Sequence, residues 1–176
     1  MSDRVRVWDP FVRIFHWSLV ILFTLNALLI DEDSSWHVWI GYGVAALIAA
    51  RLVWGMIGSR YARFSSFPPS IAQAKEQVAD IVKGRNRPHT GHTPLGAWMI
   101  YNLLLTLAVI AGSGYMMTTD MFWGIEWMEG LHEAAVTWAE ISVIAHIAAV
   151  LFESHRTHTN LPRAMITGYK EPPLIN

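Results

Sequence analysis

Four stretches of the chain are nearly free of charged side chains: Phe11–Ile30, Trp36–Ile57, Leu95–Met117 and Leu131–Phe152. A helix of about 20 mostly apolar residues crosses the hydrocarbon layer of a bilayer. The pattern therefore predicts an all-α fold, an integral membrane four-helix bundle forming one domain over residues 1–176. The first stretch is long and has no small-x-small site before Asp31, so it is expected to stay attached and not to be cleaved as a signal peptide. The connection of residues 58–94 opens with SSFPPS (Ser65–Ser70), a helix stop followed by a start. In IAQAKEQVADIVKG, Ile71, Ala74, Val78 and Ile81 recur along one face. That spacing predicts a short amphipathic helix, either lying on the membrane interface or serving as a solvated connector.

Charge gives the bundle a direction. The net charge of -1 conceals a complete sorting of the thirteen Lys and Arg residues. Arg4, Arg6 and Arg13 are at the N-terminus and Arg51 is near the end of the second stretch. Arg60, Arg63, Lys75, Lys83, Arg85 and Arg87 fill the middle connection, and Arg156, Arg163 and Lys170 the tail. The loops Asp31–Ser35 and Thr118–Gly130 carry Asp31, Glu32, Asp33, Asp120, Glu126 and Glu129 and nothing basic. By the positive-inside rule both termini are cytoplasmic and the acidic loops lie outside, which predicts a multi-pass membrane protein. The basic connection has no accompanying nucleic-acid recognition motif, so a nucleic-acid partner is not expected.

The chain has no cysteine, which removes disulfides, thiolate metal sites, iron–sulfur ligation and C-x-x-C-H haem attachment. Histidine is the remaining strong ligand type, and its eight copies separate by depth. His132 and His146 share the fourth predicted helix, fourteen residues apart. That spacing puts them about 40° apart around the axis and roughly 21 Å apart along it. His37 begins the second helix at the level of His132, and His16 lies a few residues into the first helix, near the level of His146. A lone histidine near a helix end is ordinarily a capping or interfacial residue. Two pairs matched in depth call for another reading, because ionisable groups inside spans are costly and tend to be functional. Two imidazoles facing each other across a flat group are what six-coordinate haem iron requires. His16, His37, His132 and His146 are therefore the expected metal ligands of two non-covalent, bis-histidine b-type haems.

Other polar residues have two readings each. Arg51 lies fourteen residues after His37 on nearly the same helix face, and Arg13 one turn before His16. Both are candidate cofactor-binding residues, for a haem propionate or a quinone oxygen, and both could equally be snorkelling anchors. Gly41, Gly112 and Gly114 allow the close approach of a porphyrin or merely of another helix. Many of the nine tryptophans, including Trp8, Trp17, Trp36, Trp39, Trp54, Trp123 and Trp127, read as an interfacial belt. Glu140 lies between the two levels, about 80° round from His132, and reads as a protonated, hydrogen-bonded carboxyl before a proton relay. His89, His92, His155 and His158 form H-x-x-H pairs that read as solvated loop residues.

WDPFVRIFHW, HVWIGYGVAALIAARLVWGMIGSRYARFSSF, GHTPLGAW and LHEAAVTWAEISVIAH resemble, in order and over nearly the whole length, the bacterial cytochrome b-561 family. That family includes the b-type subunits of nickel–iron hydrogenases and formate dehydrogenases. The resemblance implies a bundle in the bacterial inner membrane with two b-type haems, one on the cytoplasmic side held by His16 and His146 and one on the periplasmic side held by His37 and His132. It implies electron transfer between a periplasmic redox partner, such as a cytochrome c or a dehydrogenase subunit, and the quinone pool. The alternative within the family is a stand-alone superoxide:ubiquinone oxidoreductase. From another class comes a haem-free transporter or assembly factor using its membrane histidines. Membrane lipid and quinone are the expected small partners, and the oligomeric state stays open.

Overall fold

The computed structural model describes residues 5–87 and 89–170. In chain order these form β1 (Val5–Arg6), α1 (Pro10–Leu28), α2 (Ser35–Ile57), a single 3₁₀ turn (Phe64–Ser66), α3 (Ile71–Val82), α4 (Pro94–Met117), α5 (Glu126–Thr157), α6 (Leu161–Thr167) and β2 (Tyr169–Lys170). Four of the helices, α1, α2, α4 and α5, are long and apolar enough to cross a membrane.

Polar residues at the helix boundaries explain where the helices start. Asp9 caps α1 by accepting from the Val12 N–H, with Pro10 in the first turn, and Thr93 and Pro94 repeat the device at α4. Ser34 and Ser70 cap α2 and α3. α5 has no side-chain cap, but Glu126 and Glu129 stand in its first turn, where the helix dipole favours negative charge. This corrects one expected boundary. The last membrane helix begins at Glu126, not Leu131, and runs to Thr157, so its 32 residues absorb the second half of the acidic loop.

The spans pack in sequence, α1 on α2, α2 on α4 and α4 on α5, whereas α1 and α5 do not form a packed pair. An apolar core of Phe15, Val44, Ile48, Leu104 and Leu107 joins α1, α2 and α4. α5 is tied to α4 by polar links instead: the Asn102 side-chain amide donates to Ser142 Oγ at 2.9 Å, and Trp138 Nε1 donates to Asn102 Oδ1 at 3.0 Å. The spans of α1 and α5 are only 11% buried, against 22% for α2 and α4. One flank of the bundle, between α1 and α5, is thus left without helix-on-helix packing.

The two ends of the described chain meet. β1 and β2 pair antiparallel, Val5 with Lys170 and Arg6 with Tyr169, and the Gly168 carbonyl accepts from the N–H groups of Val7 and Trp8. Beneath this clasp Val7, Trp8, Val12, Ala62 and Ala164 form a second small core. Trp8 is therefore internal, and Trp54 donates Nε1 to Asp9 Oδ2 at 3.1 Å. Those two leave the expected aromatic belt, while Trp36, Trp39, Trp123 and Trp127 are exposed at the opposite end as a belt requires.

The amphipathic helix α3 is present, and its orientation is informative. Its buried residues are Gln77 and Asp80, while Ile71, Val78 and Val82 are exposed. Gln77 accepts from the Leu95 N–H at 2.9 Å, supplying a partner to the start of α4, and Asp80 pairs with Arg87 at 2.8 Å. The polar face thus holds the protein, and Ile71, Ala74, Val78, Leu95 and Trp98 share an outward apolar groove.

Candidate functional site

The four histidines singled out by depth meet in two pairs. The ring centroids of His16 (α1) and His146 (α5) are 6.5 Å apart, and those of His37 (α2) and His132 (α5) are 6.3 Å apart. A ring nitrogen lies about 1.1 Å from its centroid and a metal–imidazole bond is about 2.0 Å, so two imidazoles on opposite sides of one metal have centroids about 6.2 Å apart. A direct hydrogen bond of about 2.9 Å would draw the centroids to about 5 Å. The spacing in both pairs leaves room for one atom between the rings. Among the described residues no third histidine, cysteine or carboxylate joins either pair as a metal cluster. Two donors leave four positions of a six-coordinate metal to be filled, the number of nitrogens a porphyrin offers.

The surroundings fit such a group. Nδ1 of His16 and Nδ1 of His37 are buried without a hydrogen-bond partner, so neither nitrogen is spent on a protein hydrogen bond. Gly41, one turn after His37, has open space where a side chain would be, and so has Gly112. Gly114 differs, since a Cβ there would lie 3.1 Å from His132 Cε1; His132 rests directly on the α4 backbone. The flank between α1 and α5 is also where the rings of His16 and His146 face each other.

Arg51 is 4% exposed, deep for a guanidinium. It sits 4.9 Å from the Phe64 ring centroid and donates Nη2 to the Ala62 carbonyl at 3.1 Å, leaving Nη1 buried and unpartnered. A surface anchor would not be placed so. Gly55 makes room for Phe64, because a Cβ there would overlap its ring. Arg13 is differently employed: Nη2 donates to the Ile166 carbonyl, tying α1 to α6, and Nε is buried without a partner.

Four features escaped the sequence reading. His92 is not solvated, because its ring lies 4.6 Å from that of Trp8 and 4.2 Å from that of Phe67. Burial, helped by the positive charges of Lys170 and Arg51, pushes it down to about 3 from 6.5. Lys170 Nζ donates to the Gly91 carbonyl at 2.8 Å and lies over Trp8, and burial lowers it to about 8. Ser113 contacts His132, with Oγ 3.0 Å from Nδ1. Asn26 Oδ1 is buried without a partner in α1. The H-x-x-H spacing gave no hint of the aromatic packing, and a lone serine in an apolar run gives no signal at all. His89, His155 and His158 are exposed, as expected, but His155 stands in the last turn of α5 and not in a loop. Glu140 is half-buried and makes no hydrogen bond or ion pair among the described residues, so the hydrogen-bonded carboxyl expected there is not found.

No curated protein and no solved structure matches the chain. Residues 7–168 match the family described as prokaryotic cytochrome b561, which covers every membrane helix, all four paired histidines, Arg13 and Arg51. The chain therefore belongs to the prokaryotic cytochrome b561 family and is an integral membrane b-type cytochrome of electron transfer.

Proposed function

We propose that this cytochrome relays electrons between a periplasmic redox partner and the quinone pool of the bacterial inner membrane, using two b-type haems at different depths. His16 and His146 would hold the cytoplasmic-side haem and His37 and His132 the periplasmic-side haem. The observation that carries the reading is the pair of imidazole spacings, 6.5 Å and 6.3 Å, at two levels of one helix. When bound, each haem supplies a one-electron ferric/ferrous couple. With His16 and His146 holding one haem and His37 and His132 the other, the chain would offer oxygen no open coordination position.

The remaining residues bind and orient. Arg51, with one free Nη1 in an apolar surround, has the charge and donor to hold a propionate or a quinone oxygen near the cytoplasmic-side haem. Arg13 could help through Nε or Nη1, because only Nη2 is committed to Ile166. Asp31, Glu32, Asp33, Asp120, Glu126 and Glu129 make the opposite end acidic. Such a surface favours a cationic redox protein over an anion such as superoxide, which places the relay ahead of the stand-alone oxidase.

The test is transmembrane electron transfer in liposomes. Haem-loaded protein should carry electrons from external ascorbate to entrapped ferricyanide, and His37→Ala or His146→Ala should abolish transfer. Arg51→Leu should leave this relay working but lower the rate of ubiquinone reduction. Transfer at the wild-type rate in both histidine variants would contradict the proposal.

A further inference from the structure

α4 contributes no histidine, yet it controls one. Ser113 is 4% exposed, and its Oγ lies 2.7 Å from the Val109 carbonyl, 3.2 Å from the Ile110 carbonyl and 3.0 Å from His132 Nδ1. A hydroxyl has one proton and two lone pairs. Carbonyls only accept, so that proton goes back along α4, most closely to Val109. With the proton on the closer partner, Val109, the contact with His132 runs the other way, with Nδ1–H donating and Oγ accepting. The neutral imidazole consequently keeps its lone pair on Nε2.

We propose that Ser113 is a positioning residue that fixes His132 as the Nδ1–H tautomer and so presents Nε2 as the ligand on the periplasmic side. This rests on the assignment of His37 and His132 as a haem pair. Gly114 completes the seat: a Cβ there would lie 3.1 Å from His132 Cε1, close enough to press the ring out of place by a few tenths of an ångström. His37 and His16, by contrast, have Nδ1 buried without a partner. Among the described residues His132 alone of the four has a hydrogen-bonded ring nitrogen. An acceptor on a ligand imidazole's second nitrogen raises its basicity and orients the ring. The two haems of one chain are thereby made inequivalent, the periplasmic-side couple being drawn to lower potential by this contact.

The experiment compares Ser113→Ala, Ser113→Thr and His132→Ala in haem-loaded protein by potentiometric titration and haem binding. Ser113→Ala should move only the periplasmic-side component to more positive potential and weaken haem binding there by about tenfold to a hundredfold. Ser113→Thr, which keeps the hydroxyl, should restore both. A nitrogen NMR spectrum of ¹⁵N-histidine-labelled apoprotein, with His132 identified by its absence in His132→Ala, should show a protonated Nδ1. That measurement needs neither haem nor a folded serine variant. An unprotonated Nδ1, or unchanged potential and haem affinity in Ser113→Ala, overturns the proposal. If His132→Ala kept both haems, the ligand assignment itself would have failed, a distinguishable result.

Discussion

Asp9 joins three elements through one carboxylate. It accepts from the Val12 N–H to cap α1, from Trp54 at the end of α2 and from Ser59 in the following turn. Burial alone would raise its pKa, but these donors outweigh that and hold it below the ordinary 3.8. Asp9→Ala should therefore cost about 1 to 3 kcal/mol, measured by unfolding in mixed micelles. His92 has the larger pH consequence. It stays neutral when folded but titrates near 6.5 when unfolded, so its contribution is complete above pH 6.5 and is lost as the pH falls towards 3. The slope is at most about 1.4 kcal/mol per pH unit. Stability should drop by about 2 kcal/mol between pH 6.5 and 5, and His92→Phe should flatten that slope; equal slopes in the two proteins would refute it. The four paired histidines were legible because depth can be counted along a helix. His92 was not, because Trp8 and Phe67 reach it through tertiary packing alone.

At the level of elements, hydropathy located the spans well and their ends less well. Apolar character begins at Leu131, but Glu126, Trp127, Met128 and Glu129 are helix-competent and two of them are favoured by the dipole at a helix start, so α5 extends outward. α3 was legible as an amphipathic helix, whereas its orientation depended on partners distant in sequence, Leu95 for Gln77 and Arg87 for Asp80. With its polar face towards the protein, Ile71, Val78 and Val82 are left for the lipid interface. The chain has no cysteine, so single-cysteine labelling is clean. An environment-sensitive fluorophore on Val78→Cys should emit as in lipid and one on Lys83→Cys as in water. Water-like emission from both would instead make α3 a solvated connector.

For the whole molecule, the consequential feature is the incomplete bundle. α1 and α5 are the least covered spans, and they do not pack on each other although they carry His16 and His146 at facing positions. Helices with so little mutual packing but with opposed imidazoles would be completed by a group lying between them. Haem should accordingly stabilise the fold, each site adding about 2.7 kcal/mol when haem is supplied at about 100 times its dissociation constant. Unfolding compared with and without haem measures this, and identical curves would show that the bundle does not need it. The most direct test of the central claim is the haem-to-protein ratio by pyridine haemochrome, read together with redox titration, for wild type and for alanine at each of the four histidines. Two haems per chain are predicted, with His16→Ala and His146→Ala losing one redox component and His37→Ala and His132→Ala losing the other. Two haems retained in His146→Ala, or losses that do not follow these pairs, would contradict the account.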